Sequence, residues 1–101
     1  MVKRVIYIHG FNSSEKSYKA VRFSELMANY DVDYCVPRLN HEPLQAILQL
    51  EHLLTPDTAL LGSSLGGFYA TYLSQRYNLR AALINPAVAP FNLLAPLIGH
   101  N

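Results

Sequence analysis

The sequence has a single cysteine, Cys35. That excludes an internal disulfide and fits a reducing compartment. Cys35 stands among Val32, Tyr34 and Val36 in what reads as a strand, where a thiol packs rather than reacts. Charge of either sign is scarce, with eight Lys and Arg against seven Asp and Glu in 101 residues. Neither a basic face of the size nucleic acid needs nor an acidic tail is present, so no nucleic-acid partner is expected. Long unbroken apolar runs are missing too. Val5 to Ile8 follows Lys3 and Arg4 but stops at His9-Gly10, too short for a signal peptide, and a cytoplasmic location is expected. From Ala81 to Asn101 no residue is formally charged. A membrane span needs roughly 20 apolar residues without repeated breakers, and Pro86, Pro90 and Pro96 interrupt this stretch. It reads as a buried strand plus a covering segment, not a membrane anchor.

What is present is a chain half hydrophobic by count, enough for one domain with a real core. No repeat, low-complexity stretch or linker divides residues 1–101. Val2 to Ile8 is β-branched and aromatic and reads as a buried strand. A loop rich in Asn and Ser follows over Gly10 to Lys16, then a helix over Ser17 to Tyr30, with Ser17 as N-cap and Val21, Leu26 and Met27 among its apolar positions. Val32 to Val36 is a second strand closed by Pro37. Pro43 suits the first turn of a helix whose Leu44, Ile47, Leu48, Glu51 and Leu54 show helical spacing. Thr58 to Leu61 is a third strand, Leu65 to Tyr77 a third helix, Ala81 to Ile84 a fourth strand, and Phe91 to Ile98 a last helical segment. Strands alternating with helices call for an α/β fold, a short parallel sheet with helices on both faces and right-handed crossovers. The expected strand order is 2-1-3-4. Both faces of such a sheet are buried, which accounts for apolar runs in place of alternation.

The sharpest feature is Gly62-Ser63-Ser64-Leu65-Gly66, directly after the third strand and directly before the third helix. This is G-x-S-x-G in the strand–turn–helix setting that gives the pattern its meaning. A serine on a tight turn projects its oxygen above the sheet, and Gly62 and Gly66 lack side chains that would collide with nearby backbone. The helix N-terminus behind Ser64 aims N–H groups and a partial positive charge at the point where an oxyanion forms. A plain glycine-rich turn cradling a phosphate is the competing reading, but the spacing fits neither G-x-G-x-x-G nor a P-loop. In a 2-1-3-4 sheet the loops after strands one and three meet at the topological switch point, where ligands bind. Acyl transfer there needs two N–H donors, and the amides of Leu65 and Phe11 are in position to supply them. His9, Gly10 and Asn12 shape the same crevice.

His9-Gly10-Phe11-Asn12-Ser13-Ser14, then Gly62-Ser63-Ser64-Leu65-Gly66-Gly67, then Ile84-Asn85-Pro86-Ala87-Val88 together resemble the N-terminal half of the YqiA-type esterase family of α/β-hydrolases. The resemblance runs from Val5 to about Asn101. It implies an esterase or thioesterase acting on a small acyl substrate through an acyl-Ser64 intermediate, with no metal or organic cofactor. It carries over Ser64 as nucleophile and the Phe11 and Leu65 amides as oxyanion hole.

The family's triad runs in chain order Ser, acid, His, and here no Asp or Glu follows Ser64. The one later histidine is His100. Members resembling this chain are longer, and the sequence is expected to be the nucleophile-bearing portion of a chain truncated before the triad Asp and His. Earlier residues do not substitute. Asp57 precedes strand three and belongs at the opposite edge, roughly 20 Å from Ser64 along the strand; Asp31 and Asp33 share that edge. His9 is on the correct edge, as a loop-shaping residue or a base. His41, beside Glu42, is on that edge too, about two strand spacings away. His52 reads as a helix-surface residue. A serine without a base is a poor nucleophile. Two function classes therefore stand: a serine hydrolase completed by a C-terminal half, or a catalytically inactive α/β module for ligand binding or assembly. The apolar fourth strand, left as an edge, invites a second chain, either a homodimer partner or that complementing half.

Overall fold

The computed structural model describes residues 1–9, 18–84 and 96–98. In chain order these form strand β1 (Arg4–Ile8), helix α1 (Tyr18–Met27), β2 (Asp33–Cys35), α2 (Pro43–Leu53), β3 (Thr58–Gly62), α3 (Leu65–Tyr77) and β4 (Arg80–Leu83). The expected α/β alternation is thus found. The loop over Gly10 to Lys16, the Ser17 cap and most of the segment from Phe91 lie outside the described residues, although Pro96 to Ile98 make a helical turn.

The four strands form one parallel sheet in the order β2-β1-β3-β4. The connection from β1 to β2 runs one way and those from β2 to β3 and β3 to β4 run the other. With right-handed crossovers, that reversal places α1 on one face and α2 with α3 on the other. Side-chain packing follows this division. Val5, Tyr7, Ala59 and Leu61 meet Ala20, Phe23 and Met27 of α1, together with Leu97 and Ile98. Ile6, Ile8 and Leu60 meet Ala46 and Leu50 of α2 and Tyr69, Ala70 and Leu73 of α3. Alternate residues of β1 and β3 therefore serve opposite cores, and both strands are buried on both faces.

The elements begin and end for identifiable local reasons. Pro43 occupies the first turn of α2, and the Glu42 carboxylate accepts the Gln45 N–H at 2.7 Å, satisfying one donor the helix start would otherwise leave open. The C-terminus of α2 is tied down by Arg4, whose guanidinium donates to the Leu53 carbonyl at 2.9 Å and pairs with Asp33 at 3.0 Å. Asn78 ends α3 at φ 55° and ψ 51°, a left-handed stop that asparagine tolerates better than most residues.

One feature differs from the sequence reading. The buried stripe of α2 is Ala46 and Leu50, while Leu44 is 64% and Leu48 44% exposed. Apolar residues in α2 lie on two overlapping stripes, and the one containing the small Ala46 lets the helix approach Ile6, Ile8 and Leu60 closely. Val21 of α1 likewise faces outward, and Phe23 takes the interior place, its ring 5.8 Å from that of Tyr7.

Candidate active site

The C-terminal ends of β1 and β3 are paired in register, Ile8 opposite Gly62. The chain beyond β3 stays attached to β1, because the Ser63 N–H donates to the Ile8 carbonyl at 3.2 Å. One residue later the backbone turns sharply. Ser64 sits at φ 52° and ψ −124°, a positive-φ conformation that costs a non-glycine residue about 1–3 kcal/mol. Helix α3 starts at once, with Gly66 N–H donating to Ser63 O at 2.8 Å and Gly67 N–H to Ser64 O at 2.9 Å.

Two glycines permit this corner. A β-carbon on Gly62 would lie 2.4 Å from the Gly66 carbonyl oxygen, and one on Gly66 would lie 2.0 Å from the Ile8 carbonyl oxygen. Both obstacles are backbone, which no side-chain rotation relieves. The corner is therefore as tight as the G-x-S-x-G spacing demands, and its product is an exposed Ser64 at the head of a thirteen-residue helix. The Ser64 side chain caps no helix N–H, which leaves its hydroxyl directed to other uses. Among the described residues the Leu65 N–H meets no acceptor. It is thus an amide donor at the positive end of the α3 dipole, beside the serine, as an oxyanion site requires.

The other residues singled out from sequence are distributed as follows. His9 closes β1 at this edge, half-buried, with its Nε2 shielded from solvent. Gly10, Phe11 and Asn12 lie outside the described residues, and so does His100. His41 is exposed in the loop after β2, and the neighbouring Glu42 carboxylate is engaged in capping α2. His52 is exposed in the last turn of α2, at the far edge. Asp57 is also at the far edge, where its carbonyl accepts from the Lys3 and Arg4 N–H groups at 2.9 and 3.3 Å. Among the described residues no three His, Cys, Asp or Glu side chains are grouped to share a metal ion.

Tyr7 is a contributor that the sequence reading passed over. Its hydroxyl lies 3.4 Å from the Ser63 Oγ on the α1 face, and the residue is only 2% exposed. A phenol within the apolar run Val5 to Ile8 was the available signal, since a buried tyrosine hydroxyl seeks a polar partner. A second phenol, that of Tyr34, donates to the Ala20 carbonyl at 3.0 Å. Burial pushes its pKa well above the usual tyrosine range, with Tyr7 and Cys35 adding to the rise. On the opposite face burial raises the Tyr69 phenol, and the Glu42 carboxylate raises it further. The Cys35 thiol is half-buried and also raised, first by burial and then by Asp33.

A solvent-lined hollow of about 460 Å³ lies at the other end of the sheet, among Asp31, Asp57, Thr58 and Arg80. It is remote from Ser64, and nothing in it resembles the strained serine and open Leu65 N–H of the β3–α3 corner. No helix among the described residues is long and apolar enough to cross a membrane. Over residues 4–101, almost its whole length, the chain belongs to the uncharacterised protein family UPF0227.

Proposed function

We propose that this chain carries the nucleophile and oxyanion donors of a serine hydrolase of the esterase or thioesterase type, acting on a small acyl substrate. The observation that supports this reading best is the conformation of Ser64, held at φ 52° between β3 and α3 by two glycines with no room for a β-carbon. Strain of that kind persists only where the surroundings over-determine it, and it clusters at functional sites. In the proposed reaction the Ser64 Oγ attacks the acyl carbonyl and its proton passes to a base. The carbonyl oxygen, now negative, is held by the Leu65 N–H and by the Phe11 N–H from the first loop. Collapse expels an alcohol or thiol that takes up the proton, leaving an acyl-Ser64 ester, and water then releases the acid.

The reading needs a base and an acid. The chain has no Asp or Glu beyond Asp57. Among the described residues His9 is half-buried and His41 is exposed beside a committed carboxylate. We therefore include in the proposal a complementing segment that supplies both groups. An oxyanion hole and substrate binding alone leave catalysis of only about 10³–10⁴ over water in serine proteases. The engagement of Glu42 in capping α2, beside the exposed His41, supports a second reading, a non-catalytic module that binds a small ligand in the β1–β3 crevice.

The test is ester turnover by the protein isolated from its own cells, with whatever accompanies it. Ser64→Ala is expected to lower kcat by about 10³-fold or more. Unchanged turnover in that variant rules the hydrolase reading out.

A further inference from the structure

Tyr7 lies in the core between β1 and α1, yet its one polar atom is turned to the corner that carries Ser64. Its ring packs on that of Phe23, and the residue is closed to solvent. A phenol so enclosed must place its hydrogen on an acceptor. Tyr34, the other phenol of this core, donates its own hydrogen to the Ala20 carbonyl. Among the described residues the acceptor that the Tyr7 hydroxyl meets is the Ser63 Oγ, at 3.4 Å.

All three polar groups of Ser63 are then engaged, each with a different partner. Its N–H donates to the Ile8 carbonyl at 3.2 Å, and its carbonyl accepts the Gly66 N–H at 2.8 Å. Its Oγ accepts from Tyr7. Strand β1 thus grips Ser63 twice, through the backbone of Ile8 and the side chain of the residue before it. The two backbone bonds hold Ser63 at its ends and leave its Cα and side chain to pivot between them. The Tyr7 hydroxyl is the third point, and it stops the pivot. From Ser63 so held, the chain enters Ser64 at φ 52°.

We propose that Tyr7 is a positioning residue: through Ser63 it holds the strained corner and so aims the Ser64 hydroxyl and the Leu65 N–H. The inference rests on the hydrolase reading of Ser64. A strained residue relaxes unless its surroundings over-determine it. For Ser64 to relax, the peptide joining it to Ser63 must turn, and Ser63 must turn with it. Fastening Ser63 at three points opposes that turn. The Tyr7–Ser63 contact is longer than the roughly 2.7–2.8 Å usual between hydroxyls, so its contribution to overall stability is small. Its effect is on direction, and direction governs reactivity, because a misplacement of about 1 Å costs an enzyme about 10²-fold in rate.

The test is the rate at which Ser64 reacts with a fluorophosphonate in extract from cells producing the chain, followed to its end-point. Tyr7→Phe keeps the ring and removes the hydroxyl. It is expected to slow labelling of Ser64 about tenfold or more, while the fraction finally labelled stays that of the unaltered chain. For ester turnover kcat should fall with KM unchanged. A purely structural loss would do the reverse, lowering the end-point and leaving the rate of the folded remainder as it was. Ser63→Ala should slow labelling by the same factor, and the double variant no further, since all three remove one contact. The double variant strands no buried hydroxyl, so it should recover the thermal stability that Ser63→Ala loses and still be labelled slowly. Ser63→Ala and the double variant carry the test if Tyr7→Phe folds poorly. Labelling of Ser64 at an unchanged rate in these variants overturns the role of Tyr7 and leaves Ser64 as the nucleophile. So does a slow rate that returns to normal, together with stability, in the double variant. An unaltered chain that takes no label on Ser64, while other serine hydrolases in the extract are labelled, overturns the reading of Ser64 and this role with it.

Discussion

Gly66 lies so close beneath the end of β1 that a β-carbon on it would stand 2.0 Å from the carbonyl oxygen of Ile8. The neighbouring Gly67 has ordinary van der Waals space, its nearest obstacle being Leu83 Cδ2 at 3.4 Å. Two adjacent glycines of one helix turn are thus held by different constraints. Gly66→Ala must push helix and strand apart and is expected to destabilise the fold by about 3 kcal/mol or more. Gly67→Ala gains helix propensity worth up to about 1 kcal/mol and should be neutral or stabilising. Urea midpoints of the two variants check this, and equal losses would show that the corner is looser than described.

Ser64 holds a positive φ that glycine adopts freely. Ser64→Gly relieves strain of about 1–3 kcal/mol against roughly 0.5–1 kcal/mol of added chain entropy. A net gain of about 1 kcal/mol in stability is expected. Ser64→Ala keeps the strain and should change stability little. Thermal unfolding of both variants is the measurement, and a Ser64→Gly variant no more stable than Ser64→Ala would remove the argument from strain.

The raised phenols and thiol predict an alkaline weakness. Tyr34, Tyr69 and Cys35 all have pKa values above their ordinary ones in the folded chain, with burial the first cause in each case. The folded state then retains protons that the unfolded chain releases, so their stabilising contribution is complete below the ordinary values. It declines as pH rises past about 8.5 for the thiol and about 10 for the phenols. Stability measured from pH 7 to 11 should fall over that range. Tyr34→Phe should flatten part of the slope while losing the bond to Ala20. A slope unchanged by Tyr34→Phe, with the fold intact, contradicts the assignment.

Much of this was legible in the sequence because the chemistry of the corner is written in consecutive residues. Gly62, Ser64 and Gly66 mark one turn between an apolar strand and an amphipathic helix, and α3 begins at Leu65 and ends at Tyr77 as the pattern indicates. The order 2-1-3-4 expected of a doubly wound sheet, which brings the loops after strands one and three together, is the order the sheet has. The inner face of α2 was not legible, because six apolar residues in its eleven leave two stripes, and the choice between them depends on how closely Ala46 lets the helix settle on β1 and β3. The Tyr7–Ser63 contact spans 56 positions of sequence. It depends on the register between strands, which no local spacing records. The first loop, with Gly10, Phe11 and Asn12, lies outside the described residues, so the second oxyanion donor belongs to the proposal alone.

The central claim is that the hydroxyl of Ser64, and not that of Ser63 beside it, is the reactive one. Ser63 turns toward Tyr7 within the fold, whereas Ser64 stands exposed at the helix head. Extract from cells producing the chain, treated with a fluorophosphonate and digested with trypsin, yields both serines in the peptide covering residues 39–76. Fragmentation of that peptide should place the phosphonyl group on Ser64, with no adduct after Ser64→Ala. An adduct on Ser63, or an unmodified peptide while other serine hydrolases in the same extract are labelled, would contradict the account.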